Sequence, residues 1–587
     1  MPGIVGIVTS MPRERAEAQL LRMLDALAHE PFYTTGTWID ETNGVYVGWT
    51  ARKGSSSDGM PLRNERGDVV LVFSGEEFSG PASDLPHRYE GDASFPATLN
   101  GRFHGLLTDR TRGATLLFND RYGMHRLYYH ASSDAVYFAA EAKAILAVRP
   151  ELRRLDPRAL GELIACGCVL ENRTLFDGIH VLPGASLWTF RRGALETKRA
   201  YFEAREWEAQ SPLQPEPYYR ALRDAFSRSL PRYFDGPERV AVSLTGGLDT
   251  RMILAWCRPE PGSLPCYTFG GMFRESRDVV VGRRVARACR QAHEVIEVGH
   301  EFLTRFPHYA ERAVYLTDGC VDVSRAPDLY LNERARDIAP VRMTGNYGGE
   351  VLRRVRAFKA AVPRGRLFAP LLAQLHRATE TYDGLLDAHP LSFAVFKQAP
   401  WHHYGLLALE ETQLALRSPY LDNDLVRTVF RAPASVLTNN DVCLRLIQEG
   451  DPTLRRIITD RGIGGTGMLA TASHALLEFL FKAEYGYDYG MPQWVARVDH
   501  ALSGLYLERL FLGRHKFHHF RIWYRDMLAT YVRDMLLDPR TLSRPFIDRQ
   551  ALEHVVDGHL NGGHNYTTEI HTVLTLELLH RLFVDAR

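Results

Sequence analysis

From residue 239 onward the sequence alternates short apolar runs with helix-like segments, and that order leaves few folds open. Residues 239–244 read as a buried strand, 250–257 open a helix, 264–269 return to strand, 278–291 to helix and 294–298 to strand. Such alternation builds a doubly wound parallel sheet, because a parallel neighbour is reached only by a crossover that packs on the sheet. After an apolar run at 341–344 the chain becomes mainly helical and closes on an amphipathic pattern over 570–583. The first third has another texture. Apolar or alternating runs at 3–8, 44–49, 68–73, 114–118, 127–130, 135–139 and 185–190, broken by Gly, Asn and Asp, predict antiparallel strands in layers, with helices at 13–28 and 156–166. A polar, proline-bearing stretch at 208–217 reads as a linker between domains at 1–207 and 218–587.

Composition narrows the class of partner. Lys+Arg 71 against Asp+Glu 70 gives a net charge of +1, so the basic excess of a nucleic-acid binder is missing and no such partner is expected. A 45% hydrophobic content is enough for sizeable cores and excludes wholesale disorder. The longest apolar stretches, 4–8 and 474–481, are far short of a span and follow no cationic leader, so no membrane insertion and a cytoplasmic location are expected. Seven scattered cysteines without a C-x-x-C pair speak for reduced, mostly buried thiols rather than a disulfide framework or zinc site.

The sharpest local feature is S-L-T-G-G-L-D-T-R at 243–251, between the first strand and the first helix of the alternation. Gly246 and Gly247 let backbone N–H groups approach an anion, the helix N-terminus adds its positive end, and the hydroxyls of Thr245 and Thr250 donate into the same hollow. Asp249 in a phosphate cradle repels its ligand unless a cation joins the two, so the loop predicts Mg²⁺. The plain alternative is a strand-to-helix turn with an Asp near the N-cap.

The loop resembles the S-G-G-x-D-S pyrophosphate loop of the N-type ATP pyrophosphatases, with threonine for both serines. V-R-M-T-G-N-Y-G-G-E at 341–350 is similar to the second S-G-x-G-x-D-E loop of asparagine synthetases, and R-S-P-Y-L-D at 417–422 to their R-x-P-F-L-D motif. In the first third, N-D-R-Y-G-M-H-R-L-Y at 119–128 and V-Y-F-A-A-E-A-K-A-I at 136–145 resemble the R-D-x-x-G-x-x-P-L-Y and E-x-K-A motifs of the class II glutamine amidotransferase domain. The resemblance implies an N-terminal nucleophile-type αββα sandwich, then a doubly wound α/β ATP-pyrophosphatase domain with a helical C-terminal part. In asparagine synthetases, β-lactam synthetases and lasso-peptide cyclases this second domain adenylates a carboxylate, and an amine displaces AMP. Carried over, Leu244, Phe269, Thr344 and Gly345 hold the adenosine of ATP, and Thr245, Gly246, Gly247, Leu248, Asp249 and Thr250 hold its pyrophosphate. Asp249 would also coordinate Mg²⁺. Leu244 and Phe269 read equally well as strand core.

Departures from the family pattern are informative. A glutaminase of this class needs a cysteine directly after the initiator Met, and Pro2 stands there. The glutamine-binding N-G-E motif is S-G-E at 74–76 and the D-G motif is N-G at 100–101, so the first domain is expected to be a scaffold without glutaminase activity. In the second loop the metal-binding Asp aligns with Gly349, which leaves Glu350 as the nearest acid for the metal. The catalytic Glu of asparagine synthetase, or Tyr of β-lactam synthetase, falls on Asn346 with Tyr347 beside it, and Asn cannot act as a base near neutral pH. The acid ahead of the third motif falls on Ala415, so Glu411 or Gln413 would substitute. Arg461, in T-D-R-G-I-G-G-T-G at 459–467, is expected to stabilise departing pyrophosphate from a mobile lid.

Other features carry less. His554, His559 and His564 recur every five residues, about 140° per step, so they share no helix face for a metal. The pair Arg353-Arg354 reads as a solvated face, although it follows the second loop and could meet an anionic substrate. The expected function is an AMP- and PPi-forming amide ligase in a tailoring or biosynthetic role, using ATP and Mg²⁺. It would join a small-molecule or peptide carboxylate to ammonia or a substrate amine, and the plan admits a homodimer. A lasso-peptide or β-lactam-type macrocyclase, and a non-catalytic nucleotide-binding or structural homologue, stay open.

Overall fold

The computed structural model describes residues 1–587 except 90, 91, 93, 387, 388, 438, 465–467, 506, 511, 586 and 587. Two six-stranded antiparallel sheets build the N-terminal part. In one, Gly3–Thr9 lies between Val45–Arg52 and Ala135–Ala139, with Tyr33–Asp40 at an edge. In the other, Gly101–Asp109 runs between Val69–Glu77 and Ala114–Asn119, with Ala194–Ala200 at an edge. Successive residues of a strand point to opposite faces. Ile4 and Val8 therefore enter the sandwich core with Val72, Leu106 and Phe118, while Val5 and Ile7 meet the helix Arg13–Asp25 through Leu20 and Met23. Both faces are covered, so Gly3–Thr9 is buried throughout. Five strands of these sheets exceed the sequence expectation: Tyr33–Asp40, Gly101–Asp109, Ala194–Ala200 and the two-residue strands Leu62–Arg63 and His180–Val181.

The stretch read as a linker is short. Helix Arg205–Glu208 ends inside it, and Pro215 opens helix Pro215–Ser229, where its missing N–H costs nothing.

Beyond it lies a five-stranded parallel sheet in the order His293–Val298, Cys266–Gly271, Val240–Ser243, Val341–Met343, Ala415–Arg417. The central strand comes first in the chain, with its two neighbours added on opposite sides. That reversal opens a crevice at the carboxyl ends of the strands.

Helices follow, as expected, but the last is not amphipathic. Helix Thr567–Leu579 buries Ile570, His571 and every residue of 573–579, because Phe306–Leu316, Ala529–Leu536 and Arg549–Leu560 all pack on it. Its one fully buried charge, Glu577, is matched by Arg544 at 2.8 Å and Arg581 at 2.6 Å. No described helix is long and apolar enough to cross a membrane. All seven cysteines are free, and Cys166, Cys168, Cys266 and Cys443 are buried.

Candidate active site

Strand Val240–Ser243 ends at the crevice, and the chain turns through 244–248 into helix Asp249–Cys257, whose N-terminus carries no side-chain cap. Its first amides are left for an anion. Thr250 Oγ1 is buried there without a hydrogen-bond partner, a hydroxyl that a bound oxyanion would satisfy. Thr245 is exposed and accepts from Gly247 N–H at 3.4 Å. Leu244 and Leu248 are buried, and Leu244 N–H donates to Tyr267 O at 2.7 Å. At Gly246 a Cβ would stand 2.4 Å from that of Asp460, so only glycine fits.

One cradle amide already has an acceptor. Gly246 N–H donates to Asp278 Oδ1 at 2.6 Å. Burial, with the neighbouring Asp460 carboxylate, pushes the Asp278 carboxyl up to about 7. Neither acid was singled out from the sequence, where the only signal was an Asp in the first turn of the helix after Cys266–Gly271.

The second loop lies directly on the first. A Cβ at Gly345 would come 2.8 Å from Asp249 Cβ, and one at Gly348 2.6 Å from Asp249 Cγ. The third motif joins them: Tyr420 donates to Asp249 O at 2.7 Å, Ser418 to Asn346 O at 2.6 Å, and Thr344 N–H to Arg417 O at 2.9 Å. The structure thus brings 243–251, 341–350 and 417–422 together around Asp249. Tyr347, beside Asn346, is buried in a left-handed conformation at φ 70°, and its hydroxyl has no partner. Burial pushes that phenol well above its usual range.

The acids expected to hold Mg²⁺ are otherwise engaged. Arg353 donates from Nη1 to Asp249 Oδ1 and from Nη2 to Oδ2, each at 2.9 Å. Burial pushes the Asp249 carboxyl up while the guanidinium pulls it back. Glu350 faces His403 at 3.4 Å; burial is the largest single influence and pushes its carboxyl up, but His403, a backbone hydrogen bond and Arg353 together hold it below the ordinary range. A divalent cation needs several oxygen ligands. Gly349 supplies no side chain, and among the described residues no group of three His, Cys, Asp or Glu could hold a metal. As arranged, Asp249 and Glu350 do not form the metal site expected of them.

Arg461 is also turned aside. Its loop lies on the cradle, with Asp460 N–H on Gly246 O at 3.3 Å and Arg277 Nε on Asp460 O at 3.0 Å. Its guanidinium, however, is bonded to Glu478 at 2.7 Å and covers the Phe481 ring. Residues 465–467 of the expected lid lie outside the described residues. Phe269 has Phe517 against its edge, centroids 6.2 Å apart, and Arg342 over its face at 4.8 Å. Arg342 pairs with Glu410 at 2.7 Å, and burial pushes that carboxyl up to about 7. Glu410 is a buried acid of the site that sequence reasoning passed over for its neighbour.

The two parts of the chain match two family models in turn. Residues 87–202 match a glutamine amidotransferase domain and residues 221–461 match asparagine synthase. The chain belongs to the asparagine synthetase-like family. It is 23% identical to asparagine synthetase [glutamine-hydrolyzing] 1 of Bacillus subtilis over 381 residues, 60% of this chain and 58% of that protein. It is 24% identical to amidase chry2 of Gibberella zeae over 263 residues, 40% of this chain and 38% of that one. The matched regions thus span less than two thirds of either relative. A solved glutamine phosphoribosylpyrophosphate amidotransferase from B. subtilis, complexed with ADP and GMP, covers 51% of this chain and 81% of its own at 11% identity, but the TM-score of 0.26 is too low to bear on the fold.

Within this family frame the amidotransferase-like motifs have a different employment. Glu76, of S-G-E, accepts from Arg417 at 2.7 Å, and Asn100, of N-G, donates to Asp422 Oδ2 at 2.8 Å. Both therefore bond to the third motif across the seam between the sheets. Glu411 belongs to the same seam and not to the cradle: it pairs with Arg102, and its carbonyl accepts from Arg52 Nη1 at 2.8 Å. Gln413, the other substitute considered, bonds Glu30 at 2.7 Å. Pro2 lies buried at the head of Gly3–Thr9, lining a small cavity with Arg52, Ser74, Glu76 and Glu411.

Proposed function

We propose that the chain is an ATP-dependent amide ligase that adenylates a carboxylate, releases pyrophosphate, and lets ammonia or a substrate amine displace AMP. The observation that carries this reading is the partnerless Thr250 hydroxyl at an uncapped helix N-terminus, beneath a glycine pair and against the second and third motifs. In it the amides of 245–250 and the two Thr hydroxyls hold phosphate oxygens, with Leu244, Phe269, Thr344 and Gly345 around the nucleoside. Asn346 and Tyr347 stand beside the reacting carboxylate, and Arg461 reaches the leaving pyrophosphate by exchanging Glu478 for it. Residues 218–587 form the ligase and residues 1–207 a scaffold without glutaminase activity. That last point is supported by Pro2 at the nucleophile's position and by Glu76 and Asn100 being bonded to Arg417 and Asp422.

A second reading, a nucleotide-binding protein that does no chemistry, is favoured by Asp249, Gly246 and Arg461 all having internal partners. Phosphorus NMR of ATP incubated with the protein, a panel of carboxylates and ammonium separates the two. The ligase reading expects AMP with pyrophosphate in a carboxylate-dependent manner. ADP with phosphate, or no turnover with any acid, goes against it.

A further inference from the structure

Asp249 and Arg353 form a two-pronged pair, the geometry in which guanidinium and carboxylate bind each other most strongly. Their side chains are only 22% and 18% exposed. The chain is shaped to make the pair. Helix Gly348–Arg353 stops at once in left-handed Arg354, and Val355 N–H closes on Gly349 O at 3.2 Å, which folds the segment back over its own first turn. Gly349 leaves the room: a Cβ there would stand 3.3 Å from Arg353 Nη2 and 3.4 Å from Val355 Cγ2, so an acid at this position would crowd the guanidinium. The other nearby acid, Glu350, is engaged by His403.

We propose that Arg353 is the cation of this cradle, standing where a divalent metal would otherwise neutralise Asp249, so that phosphate is held between Arg353 and the 245–250 loop and no divalent cation binds at Asp249. The nature of the anion rests on the nucleotide-binding reading above; the exclusion of metal from Asp249 does not. A guanidinium has five N–H donors. Asp249 takes two, a third meets Cys443 Sγ at 3.3 Å, and the rest are available to a phosphate oxygen. Unlike a metal, this cation cannot be removed by chelation, and it brings one positive charge instead of two.

Two measurements on the full chain test this. The first uses Mn²⁺ alone, followed by electron paramagnetic resonance. The wild type is expected to bind no Mn²⁺ that depends on Asp249, so that Asp249→Asn leaves the Mn²⁺ isotherm unchanged, whereas Gly349→Asp combined with Arg353→Ser gains a site of submillimolar affinity. A wild-type Mn²⁺ site that Asp249→Asn abolishes would overturn the proposal, and this arm needs no ligand to be identified. The second titrates inorganic pyrophosphate in excess chelator and in excess Mg²⁺. Affinities within about twofold of each other are expected, and a tenfold gain with Mg²⁺ in the wild type would contradict the assignment. No pyrophosphate binding under either condition would overturn the phosphate-holding role and the ligase reading together, while the Mn²⁺ arm still decides what neutralises Asp249. Circular dichroism of each variant confirms that it is folded.

Discussion

Arg417 donates through Nε to Glu76 at 2.7 Å, joining the end of the last parallel-sheet strand to a strand of the second N-terminal sheet. The guanidinium is 6% exposed and the carboxylate 18%. Removing one partner of such a pair leaves a buried charge uncompensated. Glu76→Ala is expected to lower stability by about 2 to 3 kcal/mol in urea denaturation, a loss that Arg417→Met in the same chain partly restores.

The same bond bears on glutamine. With Glu76 held by Arg417 and Asn100 by Asp422, the groups at the glutamine-motif positions are occupied. The protein is expected to release no glutamate from glutamine, and Pro2→Cys is expected to leave that rate at background in a coupled glutamate assay.

Thr250 offers a separation of binding from folding. Its hydroxyl is buried and unpartnered, so it contributes nothing to the stability of the free protein. Thr250→Val is expected to keep or slightly raise the melting temperature while weakening ATP about tenfold by calorimetry, the equivalent of about 1.4 kcal/mol. Equal affinity in the two proteins would remove the main support for the cradle.

How much of this was legible in the sequence depended on the range of the interactions. The cradle could be read because an apolar run, a glycine pair and a helical pattern are adjacent in the chain. Strand Tyr33–Asp40 could not, since a half-exposed edge strand with Gly36 among three threonines shows no clean alternation. Arg353 read as a solvated charge because its partner lies 104 residues away, and sequence shows a charge without showing what answers it. Glu411 was chosen for its nearness to Ala415. Helix Tyr404–Glu411 ends between the two, however, so Glu411 faces Arg102 while Glu410 faces Arg342.

Asp278 predicts a pH dependence. Burial and Asp460 raise its carboxyl from 3.8 to about 7, so the folded state holds a proton that the unfolded chain releases across that interval. Its contribution to stability is therefore complete below the ordinary carboxylate range and is lost as pH rises through the interval. An anion at Gly246 competes with Asp278 for the same N–H, so pyrophosphate affinity should fall between about pH 6 and about pH 8 with proton uptake on binding. Asp278→Asn should flatten both trends, as read by calorimetry in buffers of different ionisation heat.

Carboxylate-dependent exchange of labelled pyrophosphate into ATP tests the central claim most directly, because it reports adenylation without requiring the amine. Exchange is expected with the correct acid in the wild type and is expected to fall to background in Gly246→Ala, whose Cβ would displace the Asp460 loop from the cradle. Absence of exchange across a broad panel of acids, with Gly246→Ala and Thr250→Val binding ATP as the wild type does, would contradict it.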